Sequence, residues 1–143
     1  KPSLDFSITG IDRSHQAIRN STENAKEAGV ENDIDFHAMP FEDYTPKDSV
    51  QTIVTNPPYG GRITDDDLFN LYKNIGDQLK LKYSGSNAWI LTANKEAAKN
   101  IGLHATAKIQ LYNGALECRM LKYELYRGTK KIHKIKDDSN EGV

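Results

Sequence analysis

Asn56-Pro57-Pro58-Tyr59 brings together residue types that can hold a planar amine. Two prolines fix the backbone and remove two N–H donors. The loop is left with carbonyls and the Asn56 amide oxygen, all acceptors suited to an –NH2 group. Tyr59 adds a flat face on which an unstacked base can lie. A Pro-rich turn with a surface tyrosine is the plain alternative. A second acidic feature stands at Asp12, at the end of Thr9-Gly10-Ile11-Asp12, where it could also cap a helix. His15, His37, His104 and His133 lack metal-ligand spacing and cysteine partners, so no metal site is expected. Asp65, Asp66 and Asp67 read as helix-start acids rather than ligands.

These residues need elements to position them. Phe6 to Ile11 reads as a short strand that delivers Asp12 at its edge. Ser14 to Ala28 holds no Pro or Gly and spaces Ala17, Ile18, Ala25 and Ala28 as a helix, with Gly29 as its stop. Ile34 to His37 is a second strand. Val50 to Thr55 is β-branched and reads as a buried strand running straight into Asn56. Thr64 caps a helix to about Tyr83 whose apolar face is Leu68, Leu71, Tyr72, Ile75 and Leu79. Ala88 to Thr92 is a further buried strand with Trp89 in the core, and Asn94 to Ile101 a short helix. Thr106 to Tyr112 and Leu116 to Tyr126 flank Asn113-Gly114, a strong hairpin signal. Cys118 reads as a buried strand residue. The alternation predicts an α/β fold, a mostly parallel sheet with a C-terminal antiparallel hairpin. In such a sheet Asp12 and Asn56 both follow strand ends, where ligands gather.

The 143 residues carry 19 Lys+Arg against 20 Asp+Glu, a net charge of −1, which excludes a whole-surface cationic field for nucleic-acid binding but not a local patch. One cysteine excludes an internal disulfide framework, and a cytoplasmic protein is the simplest reading. No apolar run reaches membrane-spanning length, and KPSLDFSITG does not read as a signal peptide. Residues 128–143, with Lys130, Lys131, Lys134 and Lys136 ahead of an acidic stretch, read as a charged tail that is partly disordered; the lysines could touch RNA phosphates. Nothing in the composition bears on oligomeric state.

Asn56-Pro57-Pro58-Tyr59 resembles the catalytic motif of class I S-adenosylmethionine-dependent methyltransferases that modify exocyclic base amines. The longer string Val54 to Ile63 (VTNPPYGGRI), with Asn113-Gly114-Ala115-Leu116-Glu117-Cys118, is similar to the THUMP-containing RNA guanine-N2 methyltransferases, especially the 23S rRNA enzymes often described as N6-adenine-specific DNA methylases. The resemblance extends to about Arg127, so residues 1–127 read as the C-terminal part of a Rossmann-like methyltransferase domain. It implies methyl transfer to guanine N2 of ribosomal RNA. Adenine-N6 methylation of DNA or RNA uses the same motif, and a non-catalytic fragment that binds RNA or a partner is the other alternative.

The resemblance also assigns roles. Asn56 and the Pro57 carbonyl would accept from the amine, with Pro58 stiffening the loop and Tyr59 stacking on a flipped base. Stacking needs the ring and not the hydroxyl, so Tyr59→Phe is expected to be nearly harmless. Asp12 would bind the ribose hydroxyls of the methyl donor, a task that suits a carboxylate, and Asn56 would lie beside the donor. Pro40 stands where the family commonly has an aspartate; Met39 and Phe41 would sandwich the donor's adenine, or else be core residues. Cys118 lacks a Pro-Cys context, which argues against pyrimidine-C5 methylation. The family's first strand and glycine-rich turn have no counterpart upstream of Asp12. The chain by itself is therefore expected to lack a central strand and to be inactive.

Overall fold

The computed structural model describes residues 3–126, in the order β1 (Ile8–Asp12), α1 (His15–Glu27), β2 (Ile34–Ala38), β3 (Thr52–Thr55), α2 (Asp65–Lys82), β4 (Asn87–Thr92), α3 (Lys95–Ala98), β5 (Ala107–Asn113) and β6 (Leu116–Glu124). This is the alternation that the sequence predicts. The charged tail expected over 128–143 lies outside the described residues. The described residues divide into two compact units, one up to residue 45 and one from residue 46 onwards.

In the first unit β1 and β2 pair in parallel, Ile8 opposite Ile34 and Asp12 opposite Ala38. Helix α1 connects them. Its start is fixed by Ser14, whose hydroxyl accepts from the Ala17 N–H at 3.1 Å. It ends because Gly29 adopts φ +70°, a left-handed turn that glycine takes without a Cβ penalty. The register brings the carboxyl ends of both strands level, and the Met39 N–H donates to the Asp12 carbonyl at 3.0 Å.

In the second unit the strand order is β3-β4-β6-β5. β3 and β4 are parallel, and β6 runs antiparallel between β4 and β5. Helix α2 starts at Thr64, whose hydroxyl accepts from the Asp67 N–H at 3.2 Å. Acids in its first turn and Lys80 and Lys82 in its last complement the helix dipole. Its buried stripe is Leu68, Tyr72, Ile75, Gly76 and Leu79, which packs on the turn at Ile101. The backbone passes so close there that a Cβ on Gly76 would sit 1.8 Å from the Ile101 carbonyl oxygen. Ala88 and Ile90 of β4 and Cys118, Leu121 and Tyr123 of β6 complete the core.

Three expectations need correction. β3 is not a buried strand: it is the edge of its four-stranded sheet, and Val54 is 67% exposed. Trp89 is not in the core. The pleat of β4 buries Ala88, Ile90 and Thr92 and turns Trp89 to the other face, half-buried, where the Lys122 ammonium lies 5.6 Å from its ring. The hairpin turn sits one residue later than an Asn-Gly centre implies. Asn113 pairs with Leu116, so Gly114 and Ala115 are the central residues. Only Gly114 has positive φ, +63°, the signature of a type II′ turn rather than I′. Cys118 is fully buried, as read from the sequence.

Candidate active site

Asn56 follows β3 immediately, at the carboxyl end of a strand that runs parallel to β4. Pro57 is buried, whereas Asn56 and Pro58 are exposed and Tyr59 is half-buried. The proline pair therefore anchors the loop and leaves the amide of Asn56 in solvent. The Tyr59 hydroxyl donates to Asn56 Oδ1. The sequence reading considered only the ring of Tyr59; in the structure its hydroxyl is bonded to the neighbouring amide and fixes its orientation. Oδ1 keeps a second lone pair for an incoming N–H.

Behind the loop stands a set of groups that the sequence reading placed in the core or did not single out. Tyr72, on the buried face of α2, donates its hydroxyl to the Pro58 carbonyl at 2.9 Å and lies 2.7 Å from Thr92 Oγ1. Thr92 ends β4, and its hydroxyl oxygen accepts from the Asn94 N–H at 3.1 Å. The Asn94 side chain works in two directions. Its Oδ1 caps α3 by accepting from the Ala97 N–H at 2.9 Å, and its Nδ2 donates to the Tyr59 carbonyl at 2.9 Å. Tyr72 and Thr92 are buried, 0% and 3% exposed. A tyrosine on the buried stripe of a helix is the one sequence signal for this network, since a buried phenol needs a partner.

Desolvation by burial pushes the Tyr72 hydroxyl above the ordinary tyrosine value, against the hydrogen bond to Thr92, and Tyr59 nearby adds to the rise. Tyr59 moves the same way. Desolvation leads, the Asn113 side chain opposes it, the thiol of Cys118 adds to it, and the Asn56 amide again opposes it. Both phenols therefore keep their protons, and remain donors, throughout the neutral range. The neighbours of Tyr59 also show that the hairpin segment Asn113–Cys118 and the Asn56–Tyr59 loop meet in one place.

Asp12, Met39 and Phe41 belong to the first unit. Asp12 is exposed at the carboxyl end of β1, and its Oδ1 accepts from the Ser14 N–H at 2.7 Å. It thus steadies the start of α1 with one oxygen, while the cap itself is Ser14. Met39, next to Asp12 through the backbone, and Phe41 are both half-buried, so neither is a core residue. Among the described residues no three His, Cys, Asp or Glu side chains gather into a metal site, and no helix is long and apolar enough to cross a membrane.

The chain is similar to several known proteins. The chain is 41% identical over 123 residues to "Ribosomal RNA large subunit methyltransferase K/L" of Syntrophotalea carbinolica, which covers 82% of the chain but 17% of that protein. It superposes with a TM-score of 0.78 on a crystal structure described as a methyltransferase complexed with SAH, 26% identical, covering 85% of this chain and 32% of that one. A Listeria monocytogenes protein described as a predicted N6-adenine-specific DNA methylase superposes with a TM-score of 0.71 at 28% identity, covering 82% and 30%. The chain thus spans a third or less of the length of each of these proteins. The family model described as UPF0020, RMKL-like, methyltransferase domain, matches residues 2–122, and the chain belongs to that family.

Proposed function

We propose that this chain carries the amine-recognition loop, and part of the donor site, of an S-adenosylmethionine-dependent methyltransferase that modifies guanine N2 in 23S ribosomal RNA. The observation that carries the reading is the Asn56–Tyr59 loop at the end of β3. An exposed amide oxygen is aimed by a tyrosine hydroxyl, and the carbonyls of Pro58 and Tyr59 are already held by Tyr72 and Asn94. The Pro57 carbonyl is not among those that Tyr72 and Asn94 engage. The name of the Syntrophotalea relative supports RNA as substrate, and the neighbour with bound SAH supports the donor. A ribosomal RNA substrate supports a cytoplasmic location.

The residues fit such a donor. Asp12 spends Oδ1 on Ser14 and leaves Oδ2 to accept from ribose hydroxyls. Met39 and Phe41, half-buried beyond the adjacent strand end, offer apolar surface to an adenine. When bound, S-adenosylmethionine supplies an electrophilic methyl group on a sulfonium sulfur. The chain's own contribution is to position and stabilise. Asn56 Oδ1 and the Pro57 carbonyl accept the two N–H bonds of the amine, which points its lone pair away from the loop. The same two oxygens stabilise the positive charge that develops on nitrogen. Tyr59 holds the flipped base by its face. The amine loses its proton to solvent afterwards, so no strong base is required.

The test is methyl incorporation from labelled S-adenosylmethionine into large-subunit rRNA by the complete gene product, with the modified nucleoside identified. Asn56→Ala should lower turnover on the order of 10²-fold or more, with donor affinity retained. Label on adenine N6, or in DNA, would move the assignment to the alternative acceptor. RNA binding without transfer would mark a non-catalytic protein, and near-normal turnover in Asn56→Ala would return the loop to a structural turn.

A further inference from the structure

We propose that Asn94, with Tyr72 and Thr92 behind it, is a positioning residue that clamps the acceptor loop by its two consecutive carbonyls. The proposal rests on the methyltransferase reading for its consequence, but its geometry stands by itself. The directions of the hydrogen bonds follow from the donors available. The Pro58 carbonyl can only accept, so the single phenolic proton of Tyr72 is committed to it. Thr92 Oγ1 accepts from the Asn94 N–H, so its own proton is free to go to Tyr72 Oη. The result is a one-way relay, Asn94 N–H to Thr92, Thr92 O–H to Tyr72, Tyr72 O–H to the Pro58 carbonyl. The Asn94 side chain closes it from the other side by donating Nδ2–H to the Tyr59 carbonyl.

Two features make this a clamp rather than incidental packing. The held carbonyls belong to Pro58 and Tyr59, the residues immediately after the Asn56-Pro57 acceptor pair, so any slack there moves Asn56 directly. Beyond them the chain runs into Gly60 and Gly61, with φ of +144° and +85°, and a Cβ built on either meets nothing within 4 Å. The two glycines bring no side-chain packing of their own, so the hydrogen bonds from Tyr72 and Asn94 are what fixes the backbone of the loop just ahead of them. The clamp also ties the loop to three elements at once, α2, β4 and the start of α3.

Asn94→Asp separates clamp from fold. A carboxylate still caps α3 by accepting from the Ala97 N–H, and it suits the helix dipole, but it has no hydrogen to give the Tyr59 carbonyl. In the complete gene product the expected result is a fall in kcat of ~10- to 100-fold, an unchanged donor Kd, a thermal midpoint lowered by no more than a few degrees, and faster amide exchange at Tyr59, Gly60 and Gly61. Thr92→Val should behave in the same direction and Thr92→Ser should rescue it, because only the hydroxyl matters to the relay. Amide exchange reads the clamp whether or not the protein methylates RNA. A wild-type protein without transferase activity would sink the functional reading and leave the clamp to be judged by exchange alone. Unchanged exchange in Asn94→Asp overturns the clamp, as does wild-type kcat in an enzyme whose Asn56→Ala variant is inactive. A thermal midpoint lowered by more than that, together with failed rescue by Thr92→Ser, would reduce these residues to packing, which also overturns it.

Discussion

Removing one oxygen from Tyr59 is the sharpest perturbation of the site, because two accounts of that residue disagree about it. If the tyrosine is only a stacking face, Tyr59→Phe changes nothing. In the structure its hydroxyl donates to Asn56 Oδ1, the atom assigned to the substrate amine. A hydrogen bond of this kind is worth about 0.5–1.5 kcal/mol net. If that energy holds Asn56 in its productive orientation, its loss should cost roughly 2- to 10-fold in kcat. The ring remains, so RNA affinity should be unchanged. Tyr59→Ala removes the stack as well, worth ~1–3 kcal/mol, or roughly 5- to 150-fold in RNA affinity. The expected pattern is therefore graded: Tyr59→Phe alters kcat alone, Tyr59→Ala alters both. Single-turnover methyl transfer at saturating RNA measures the first quantity and filter binding of an RNA fragment the second. Wild-type single-turnover rates in Tyr59→Phe would falsify the orienting role of the hydroxyl. A loss of RNA affinity in Tyr59→Phe equal to that of Tyr59→Ala would remove stacking as the basis of binding.

Asp12→Asn keeps an oxygen for the Ser14 N–H but loses the charge; donor affinity by calorimetry should weaken ~10-fold or more, while thermal stability stays within error, and retained affinity would leave Asp12 as a helix-start residue only. Gly76→Ala should destabilise by about 1–3 kcal/mol despite alanine's better helix propensity, since the new methyl group meets the Ile101 carbonyl oxygen; a stabilised variant in urea unfolding would contradict that close approach. Tyr123 is buried, and desolvation pushes its hydroxyl up to about 12, with Tyr72 adding to the rise. Its folded value lies above the unfolded value near 10, so its contribution is complete below pH ~10 and is lost as pH rises from there towards 12. Denaturant midpoints should be flat up to pH ~10 and fall above it, and Tyr123→Phe should flatten that fall; an unchanged alkaline limb would contradict the assignment.

The sequence carries the order of elements plainly because each helix announces its own ends. Ser14 and Thr64 at the starts and Gly29 at a stop are local signals that act through local hydrogen bonds. The acceptor loop is legible for a similar reason, since its prolines and tyrosine are contiguous. What the sequence does not show is set by neighbours distant in the chain. β-Branching in Val50–Thr55 reports a preference for extended backbone, not the number of partners, so that pattern alone does not reveal that β3 is an edge. Trp89 looked like core because its size outweighed the pleat's alternation. Tyr72 was recognised as an apolar-face residue of α2, but only the fold brings its hydroxyl to Pro58 and Thr92. The turn moved from Asn113-Gly114 to Gly114-Ala115 because cross-strand pairing, with Cys118 buried opposite Leu111, decides the register.

The place of β6 between β4 and β5 has a consequence for how the protein is made. β4 pairs on that side with residues synthesised well after it: Asn87 waits for Glu124, and Thr92 for Arg119. As the chain leaves the ribosome, β4 presents an open hydrogen-bonding edge until β6 arrives. β6 also brings Cys118, Leu121 and Tyr123, so the core of the second unit cannot close around α2 before then. A chain that ends ahead of Leu116 therefore keeps an unpaired strand edge, a feature that in general favours intermolecular pairing. The hairpin turn at Gly114 and Ala115 shortens that wait, because once it forms, β5 and β6 enter the sheet together.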